Sequence, residues 1–379
     1  MNIQLNFSRD IQKYFKMWLF KNKVIMLYGP RRSGKTYLSK EILKIHSSEN
    51  SYFNCEDLNI RQVLERRDLK EMKNFFGEHR IIVLDEAQYI PEIGQALKLF
   101  HDTYPETQII ATGSSSFELS NQTGEPLTGR SIQFLLLPIS ILEVSNTMNR
   151  FELKGNLELF MRFGMYPEVL TGSGEAFATD YLNNLVSQYL YKDILIFEQV
   201  KKSDMLIKLL QLLAFQIGSE VSFHELATKL KINTRTVERY IDLLEKTFVI
   251  YRLKAFSRNL RKEISKKEKI YFIDLGIRNA LINNFNPLTL RTDTGALWEN
   301  FCMIERRKLN LYAPNKPFMY FWRTNDKKEV DLIEEEGGKL KAFEFKWKET
   351  KYKIPKDFIE TYETPVSVIN EMNFMEFLL

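Results

Sequence analysis

The stretch LYGPRRSGKTYL, residues 27–38, matches the pattern G-x-x-x-x-G-K-[S/T], with Gly29, Gly34, Lys35 and Thr36 at its fixed positions. An apolar run leads into the pattern and an amphipathic helical run leads out of it, which is the strand, loop and helix context that the pattern requires. Glycines let backbone N–H groups curl around phosphate oxygens, and the helix N-terminus adds the positive end of its dipole. The stretch therefore predicts an α/β fold with a phosphate-binding loop. The predicted nucleotide contacts are Gly29, Pro30, Arg31, Arg32, Ser33, Gly34, Lys35 and Thr36.

A second motif, RIIVLDEAQ at residues 80–88, supports the phosphate loop independently. Four apolar residues end in Asp85 and Glu86, at the C-terminal tip of a predicted strand, where ligands of open α/β sheets bind. We expect ATP bound with Mg²⁺: Lys35 neutralises phosphate charge, and the hydroxyl of Thr36 ligates the metal. Asp85 would hold Mg²⁺ through its water shell, and Glu86 would polarise the attacking water.

Two further positions near this sheet each have two interpretations. The strand TQIIATGSSS ends in four hydroxyl side chains, Thr112, Ser114, Ser115 and Ser116. Such a side chain either senses the γ-phosphate or belongs to a solvated loop. Arg130, at the start of the next strand, is either an arginine that reaches the phosphates of a neighbouring copy or a surface arginine.

The composition bounds the class of protein. The chain has 379 residues, which is too long for one ordinary domain, and its 44% apolar and 27% charged residues are typical of a globular protein. The net charge is only +5, so affinity for a polyanion would need local clustering of charge. Charges interrupt the N-terminal apolar runs, and no apolar stretch is long enough to span a bilayer, which predicts a soluble cytoplasmic protein without a signal peptide or membrane contact. The two cysteines lie far apart and form no motif.

The pattern of apolar runs changes along the chain. Strands and helices alternate through about residue 145, which predicts a parallel sheet covered on both faces. Residues 150–245 read as almost wholly helical and are followed by two strands. After Pro287 the pattern is one helix, three strands, a helix and a last strand. Three domains fit this organisation best.

A winged-helix arrangement is predicted in residues 221–253. Ser222 and Glu225 form a capping box that opens a short helix, and a tight turn leads to a second helix with an apolar face at Val237, Ile241 and Leu244. Two short helices joined by a tight turn and followed by strands are the order of a winged helix. The module binds either DNA or protein.

A basic segment separates the two strands that follow these helices. The stretch KAFSRNLRKEISKKEK carries seven cations, Lys254, Arg258, Arg261, Lys262, Lys266, Lys267 and Lys269. On a wing it would lie along phosphates and make DNA binding steeply salt-dependent. The alternative is a solvated hairpin.

The hairpin EVDLIEEEGGKLKAFEFKW, residues 329–347, places two carboxylates and an ammonium among apolar strand positions. Glu344 and Lys346 share one face because they are two residues apart, and the Gly-Gly turn brings Asp331 near them. Glu299, on the preceding helix, would join them. Carboxylates beside a lysine can hold Mg²⁺ and activate water for phosphodiester cleavage. The alternative is an ordinary Lys–Glu cross-strand pair.

The motifs together resemble one family. They are, in order, GPRRSGKT, VLDEAQ, ATGSSS, LTGR with LPIS, GMYPEV, KIYFIDLG, ALWENF, FWRTNDKKEVDLI and FEFKW. The chain resembles AAA+ ATPases, in the branch of bacterial and archaeal ATP-binding proteins with a C-terminal domain of unknown function. The resemblance implies a P-loop AAA+ ATPase domain at 1–145 with strand order 5-1-4-3-2, a helical lid or linker at 146–215, a winged-helix domain at 216–286, and at 287–379 an α/β domain similar to restriction endonucleases of the PD-(D/E)XK type.

The resemblance also implies roles for single residues. The nuclease motif falls on Asp331, Glu344 and Lys346, with Asp331 and Glu344 as metal ligands, and the glutamate of the preceding helix falls on Glu299. Ser114 falls on a sensor position. Arg130 falls on an arginine finger or a second sensor.

The leading hypothesis is an ATPase that hydrolyses ATP with Mg²⁺ and acts on nucleic acid, with DNA favoured over RNA, through its winged-helix and nuclease-like domains. An alternative is a nucleotide-switched regulatory protein that binds DNA or protein without cutting. A third is a defence factor that uses ATP to release a nuclease. Assembly into a homo-oligomer with nucleotide is expected if Arg130 acts on a neighbouring copy.

Overall fold

The computed structural model describes residues 7–46, 51–114, 127–190, 203–256, 268–324, 326, 328–349 and 354–379. These residues form two compact units. The N-terminal unit comprises Ser8–Pro138 and Lys246–Phe248, and the C-terminal unit comprises Ile139–Glu245 and Val249–Leu379 together with Phe7.

A five-stranded parallel sheet forms the centre of the N-terminal unit. Its strands are β1 (Val24–Tyr28), β2 (Tyr52–Asn54), β3 (Ile81–Asp85), β4 (Gln108–Gly113) and β5 (Ser131–Leu135). They lie in the order β2-β3-β4-β1-β5, which confirms the predicted strand order. Every residue of β1, β3 and β4 is buried, as expected for strands covered on both faces.

Among the described residues of this unit, five α-helices cover the sheet: α1 (Ile11–Trp18), α2 (Lys35–Ile45), α3 (Leu58–Arg66), α4 (Leu69–Phe76) and α5 (Ile93–Thr103), with a short 3₁₀ turn at Ala87–Tyr89. Asp57 and Asp68 cap α3 and α4 by accepting hydrogen bonds from the first free amides of each helix. Phe76 and Phe100 meet edge to face in the core, with ring centroids 5.3 Å apart. Because all five strands are parallel, their carboxyl ends lie at one edge, where the polar motif residues are concentrated.

The C-terminal unit has a mixed, six-stranded sheet. Its strands are β6 (Ile250–Ala255), β7 (Glu268–Phe272), β8 (Phe318–Arg323), β9 (Glu329–Glu336), β10 (Lys339–Phe345) and β11 (Val366–Ile369). They lie in the order β11-β10-β9-β8-β6-β7. The sheet is continuous across the domain boundary predicted at residues 286 and 287, because β6 and β8 pair in parallel through Lys254 opposite Tyr320 and Ala255 opposite Phe321.

The described residues of this unit also form these helices: α6 (Ile141–Ser145), α7 (Arg150–Phe163), α8 (Pro167–Thr171), α9 (Gly174–Asn184), α10 (Ser203–Phe215), α11 (Phe223–Leu230), α12 (Thr234–Lys246), α13 (Leu275–Leu281), α14 (Thr294–Leu311), α15 (Lys356–Tyr362) and α16 (Phe374–Leu378), with a π-helical turn at Leu185–Leu190 and a 3₁₀ turn at Leu288–Leu290. None of the helices in the described ranges is both long and apolar enough to cross a membrane.

The predicted helix pair is present in α11 and α12. Ser222 accepts a hydrogen bond from the amide of Glu225, and Val237, Ile241 and Leu244 are fully buried, as predicted. The segment before α11 pairs with β7, since the amide of Val221 donates to the carbonyl of Glu268 at 3.0 Å. This segment, α11, α12, β6 and β7 therefore follow one another as a small β-α-α-β-β arrangement.

Candidate functional site

The phosphate loop lies between β1 and α2, as its sequence requires. Gly34 precedes α2 with φ of 99°, a left-handed conformation that favours glycine. A Cβ atom at Gly29 would lie 2.1 Å from the carbonyl oxygen of Leu136, so only glycine fits there. The side chain of Arg9 fixes the loop further, because it donates to the carbonyls of Ser33 at 2.7 Å and of Leu137 at 2.6 Å.

The ammonium group of Lys35 lies inside this loop. Its Nζ donates to the carbonyl oxygens of Gly29 at 2.9 Å and of Pro30 at 3.0 Å, and the residue is only 5% exposed. A cation enclosed by the loop backbone is positioned for phosphate oxygens that enter the same loop. The structure thus brings the predicted lysine and the predicted backbone together.

Asp85 is held at the end of β3 by three hydroxyl groups. Thr36 Oγ1 donates to Asp85 Oδ2 at 2.7 Å, the phenol of Tyr52 donates to the same oxygen, and Thr112 Oγ1 donates to Oδ1. The carboxylate is 3% exposed. These donors are neutral, so they fix the orientation of the carboxylate and leave its charge in place. The predicted pair of Thr36 and Asp85 is therefore in contact.

Tyr52 is a site residue that the sequence analysis missed. Burial, followed by the hydrogen bond to Asp85, raises the pKa of Tyr52, so its phenol remains a donor at neutral pH. Lys40 lies over the ring, with its Nζ 4.6 Å from the ring centroid. Tyr52 comes from β2, where it is opposite Val83 of β3, and only this cross-strand register brings it to Asp85.

Thr112 connects Asp85, the last residue of β3, with Glu86, which follows it. Its hydroxyl donates to Asp85 and accepts a hydrogen bond from the amide of Glu86 at 3.1 Å. Glu86 has a left-handed backbone, with φ of 54°, and its carboxylate accepts a hydrogen bond from the side-chain amide of Gln88. Of the four hydroxyl residues considered as sensors, Thr112 has these contacts, Ser114 is buried at the end of β4, and Ser115 and Ser116 lie outside the described residues.

Arg130 does not join this group. Its carbonyl accepts a hydrogen bond from the amide of Val24, so it lies at the amino ends of the strands, one strand length, about 13 Å, from the loop. There its side chain forms a partly exposed ion pair with Asp102, with Nε 2.7 Å from Oδ1. This position does not favour a sensor role for Arg130 at the phosphate loop of its own copy, and action on a neighbouring copy remains a prediction.

The C-terminal unit contains a second group of acidic residues, Glu299, Glu329 and Asp331, here called the carboxylate cluster. One oxygen atom from each lies within 4.8 Å of the others. Glu299 comes from α14, and Glu329 and Asp331 are two residues apart on β9, so they share one face. Trp298, fully buried, fixes α14 by donating its indole N–H to the carbonyl of Ile369 at 3.2 Å.

A buried lysine lies within the carboxylate cluster. Lys269 Nζ is 2.8 Å from Glu299 Oε1 and 3.4 Å from Asp331 Oδ1, and it also contacts Glu329. The lysine side chain is 1% exposed. The assignment of Lys269 to a phosphate-binding basic arm is therefore wrong, because the residue faces inward from β7. Of the other basic-arm residues, Lys254 is exposed, and Arg258, Arg261, Lys262, Lys266 and Lys267 lie outside the described residues.

The predicted nuclease residues do lie near one another. The ammonium of Lys346 pairs with Glu344, and Asp331 Oδ2 accepts the amide of Phe345 at 2.9 Å. Burial acts to lower the pKa of Lys346, but Glu344, Asp331 and Glu299 together raise it. The predicted set of Glu299, Asp331, Glu344 and Lys346 is thus brought together, and Lys269 and Glu329 are added to it.

Electrostatics of the cluster follow from its burial. Burial raises the pKa of Glu299, the charge of Asp331 raises it further, and Lys269 opposes both, with a result of about 7. Burial alone would lower the pKa of Lys269, but Glu299, Asp331 and Glu329 outweigh it and raise this pKa well above the usual range. Tyr271 donates its phenol to Glu299 Oε1 at 2.7 Å. The lysine is therefore positively charged at neutral pH.

The phosphate loop and the carboxylate cluster differ in how well they fit the nucleotide and the metal ions that the sequence predicts. The phosphate loop, Lys35, Thr36 and Asp85 fit ATP and Mg²⁺, since the backbone cradle and the hydroxyl-to-carboxylate contact are formed. The carboxylate cluster does not fit a divalent metal ion, because the ammonium of Lys269 lies among the oxygen atoms that would bind it.

Comparison with protein families agrees with the first of these assignments. Residues 21–145 match the family model described as an AAA domain. Residues 154–288 and 294–372 match two models described as domains of unknown function, DUF8612 and DUF4143. Most of the N-terminal unit therefore matches the AAA domain model.

Individual relatives cover most of the chain. An uncharacterized protein of Mycobacterium tuberculosis is 28% identical over 342 residues, which are 89% of this chain and 73% of the relative. An uncharacterized protein of Methanocaldococcus jannaschii is 28% identical over 345 residues, 78% of this chain and 72% of the relative. Among solved structures, AMPPCP-bound DnaA from Aquifex aeolicus matches with 18% identity and a TM-score of 0.30, over 62% of this chain and 86% of DnaA. Cdc6p from Pyrobaculum aerophilum matches with 12% identity and a TM-score of 0.29, over 75% and 96%.

Proposed function

We propose that the protein binds ATP with Mg²⁺ at the phosphate loop and hydrolyses it. The observation that supports this most directly is the hydrogen bond from Thr36 to Asp85, at 2.7 Å, beside the enclosed ammonium of Lys35. It unites the two motifs, 49 residues apart in sequence, that phosphoryl transfer requires.

Each residue has a defined task in this proposal. The loop amides and Lys35 bind the phosphates, and Thr36 and Asp85 hold Mg²⁺, which when bound neutralises charge on the phosphate oxygens. Glu86 accepts a proton from the attacking water or orients it. Thr112 keeps Asp85 and Glu86 in fixed relation, and Tyr52 keeps the Asp85 carboxylate oriented.

Replacement of the loop lysine tests this proposal. We expect Lys35→Ala to abolish ATP binding, measured by equilibrium titration with a fluorescent ATP analogue, because the phosphates lose their positive partner. Lys44→Ala removes an exposed lysine from the same helix and should leave binding unchanged. Unchanged affinity in Lys35→Ala would refute the assignment of the phosphate loop.

We further propose that the C-terminal unit binds nucleic acid, DNA in particular, through a winged helix formed by α11, α12, β6 and β7. Arg235 and Arg239 are exposed on α12, the second helix of the pair, and the basic segment follows in sequence. Replacement of both arginines by alanine should weaken DNA binding and lower the salt slope by about 1 for each phosphate that the protein no longer neutralises. Lys341→Ala, an exposed lysine on β10, is the matched control. Equal DNA affinity for all three proteins would favour a protein-binding role.

A second candidate function is a nucleotide-switched regulator whose nuclease-like part binds without cutting. The position of Lys269 inside the carboxylate cluster favours it over cleavage. The purified protein with ATP and either Mg²⁺ or Mn²⁺ should leave DNA and RNA intact. Cleavage that Glu344→Ala stops would instead support the nuclease.

A further inference from the structure

Lys269 is held in the carboxylate cluster by its backbone as well as by its charge. On one side it lies opposite Leu253 in the β6–β7 ladder, and on the other it forms a bridge with Glu220. Pairing on both sides fixes the direction of the Cα–Cβ bond of Lys269, so its side chain projects to this face of the sheet. The ammonium is therefore built into the sheet and does not behave as a mobile surface group.

The surroundings of the ammonium leave it no alternative partner in solvent. Its side chain is 1% exposed, and its Nζ lies 5.7 Å from the centroid of the Phe321 ring. Carboxylate oxygens of Glu299, Glu329 and Asp331 surround it, and the phenol of Tyr271 holds Glu299 from the same strand. Removal of one partner from such a buried ion pair is strongly destabilising, because it leaves an uncompensated buried charge.

A divalent metal ion would need the same oxygen atoms. Mg²⁺ binds oxygen at about 2.0–2.1 Å and keeps near-octahedral geometry with several waters. An ammonium already among these oxygens excludes the ion by its volume and by its charge. Arg323 adds a second cation at the rim, with Nη1 3.2 Å from Glu329 Oε2.

We infer that Lys269 is an internal counter-ion that takes the place of a divalent metal ion in the carboxylate cluster of Glu299, Glu329 and Asp331. The C-terminal unit of the native protein therefore binds no divalent cation at this cluster. Hydrolysis of a phosphodiester by water activated on a metal ion that these three carboxylates hold is therefore not available.

Metal binding to the full-length protein tests this inference. Manganese titrated without nucleotide, with free Mn²⁺ followed by electron paramagnetic resonance, should show the same binding for the wild type and for Glu329→Gln. One bound Mn²⁺ in the wild type that is lost in Glu329→Gln would overturn the inference. Binding that is equal in both proteins lies outside the cluster and agrees with it.

Replacement of Lys269 tests whether its ammonium occupies a position that a metal ion could otherwise fill. Lys269→Ala leaves buried carboxylates without their cation and should lower the melting temperature by on the order of 10 °C. Mn²⁺ should restore part of this loss, and the double variant Lys269→Ala/Glu329→Gln should lose that restoration. Lys254→Ala, on the neighbouring strand and exposed, should melt close to the wild type.

Two outcomes of this second experiment are decisive. A folded Lys269→Ala protein that is indifferent to Mn²⁺ would overturn the claim that the lysine occupies a cation position. If Lys269→Ala does not fold, the Mn²⁺ titrations of the wild type and Glu329→Gln decide alone. ATP binding by the same samples, which depends on Lys35 in the other unit, checks independently that the protein is intact.

Discussion

Asp85 in the N-terminal unit and Asp331 in the C-terminal unit are both buried aspartates at predicted metal positions, yet their partners differ in kind. Asp85 accepts hydrogen bonds from three neutral hydroxyls, whereas Asp331 accepts one backbone amide and faces the ammonium of Lys269. Neutral donors orient a carboxylate and preserve its charge for an incoming cation. A buried ammonium already occupies the position beside the carboxylate, so the partner of a buried carboxylate, rather than its burial, indicates whether a metal ion can bind.

The free-energy cost of burying carboxylates is also offset differently at Asp85 and at the carboxylate cluster. Burial of an ionised carboxylate is costly unless it is paired or hydrogen-bonded. At the carboxylate cluster the ammonium of Lys269 offsets part of this cost from within the protein. At Asp85 the hydroxyls offset part of the cost, and a bound cation would add the rest, which links occupancy of the site to its stability.

The largest difference between the two units is expected when one glutamate in each is replaced by glutamine and ATP hydrolysis is measured. We expect Glu86→Gln to lower the rate of ATP hydrolysis by roughly 100- to 10,000-fold, because the side chain can no longer accept a proton from water. ATP binding should persist. Glu299→Gln should leave hydrolysis near the wild-type rate. Phosphate release under saturating ATP measures both, and equal losses in the two variants would break the comparison.

Asp293 offers an independent case of a carboxylate with internal cations. Burial acts to raise its pKa, but the hydrogen bond from Arg291 and the charge of Arg278 outweigh it and lower the pKa from 3.8 to about 2. Its contribution to stability is therefore present above pH 3.8 and is lost as the pH falls through about 2.

We expect this contribution to be about 2 kcal/mol of unfolding free energy. Urea unfolding of the wild type and of Asp293→Asn at several pH values should show a difference that is largest near neutrality and narrows in acid. A difference that is constant with pH would mean that the arginines act only through packing.

Replacement of Tyr52 tests whether the neutral hydroxyl donors orient the Asp85 carboxylate. Tyr52→Phe removes one hydroxyl donor from Asp85 while Thr36 and Thr112 remain, and one hydrogen bond of about 1 kcal/mol corresponds to roughly 5-fold in rate. We expect kcat to fall by this amount and half-maximal activity to need more Mg²⁺, with ATP affinity in the absence of Mg²⁺ unchanged.

Tyr104→Phe is the matched control, because Tyr104 contacts Phe100 and Lys73 through its ring, which phenylalanine retains. Loss of stability without a change in the Mg²⁺ dependence would assign Tyr52 to a structural role.

The smallest effect is expected at Arg130. Its ion pair with Asp102 is exposed, and it lies at the opposite edge of the sheet from the phosphate loop. Arg130→Ala should therefore leave ATP affinity unchanged in dilute protein. A fall in hydrolysis that appears only at high protein concentration, together with a larger solution mass with ATP, would reveal an action between copies.

The sequence predicts local features of this molecule better than contacts between distant segments. The phosphate loop and the pair of Asp85 and Glu86 could be recognised because their residues are adjacent in sequence. The apolar pattern of the flanking strands and helices is also regular. Tyr52 could not, because its contact with Asp85 depends on the pairing of β2 with β3. The sequence does not reveal the buried position of Lys269, because a lysine next to a run of cations resembles a solvated arm, whereas the alternation of β7 turns its side chain inward.

The parallel pairing of β6 with β8 has a practical consequence for work with fragments. A fragment that begins at residue 287 would lack β6 and β7, expose the backbone of β8 as a new edge, and be without the lysine that neutralises the buried acids. Exposed strand edges promote self-association. The last ninety or so residues are therefore expected to precipitate when expressed by themselves. A fragment that begins at Ile139 keeps all six strands of the sheet.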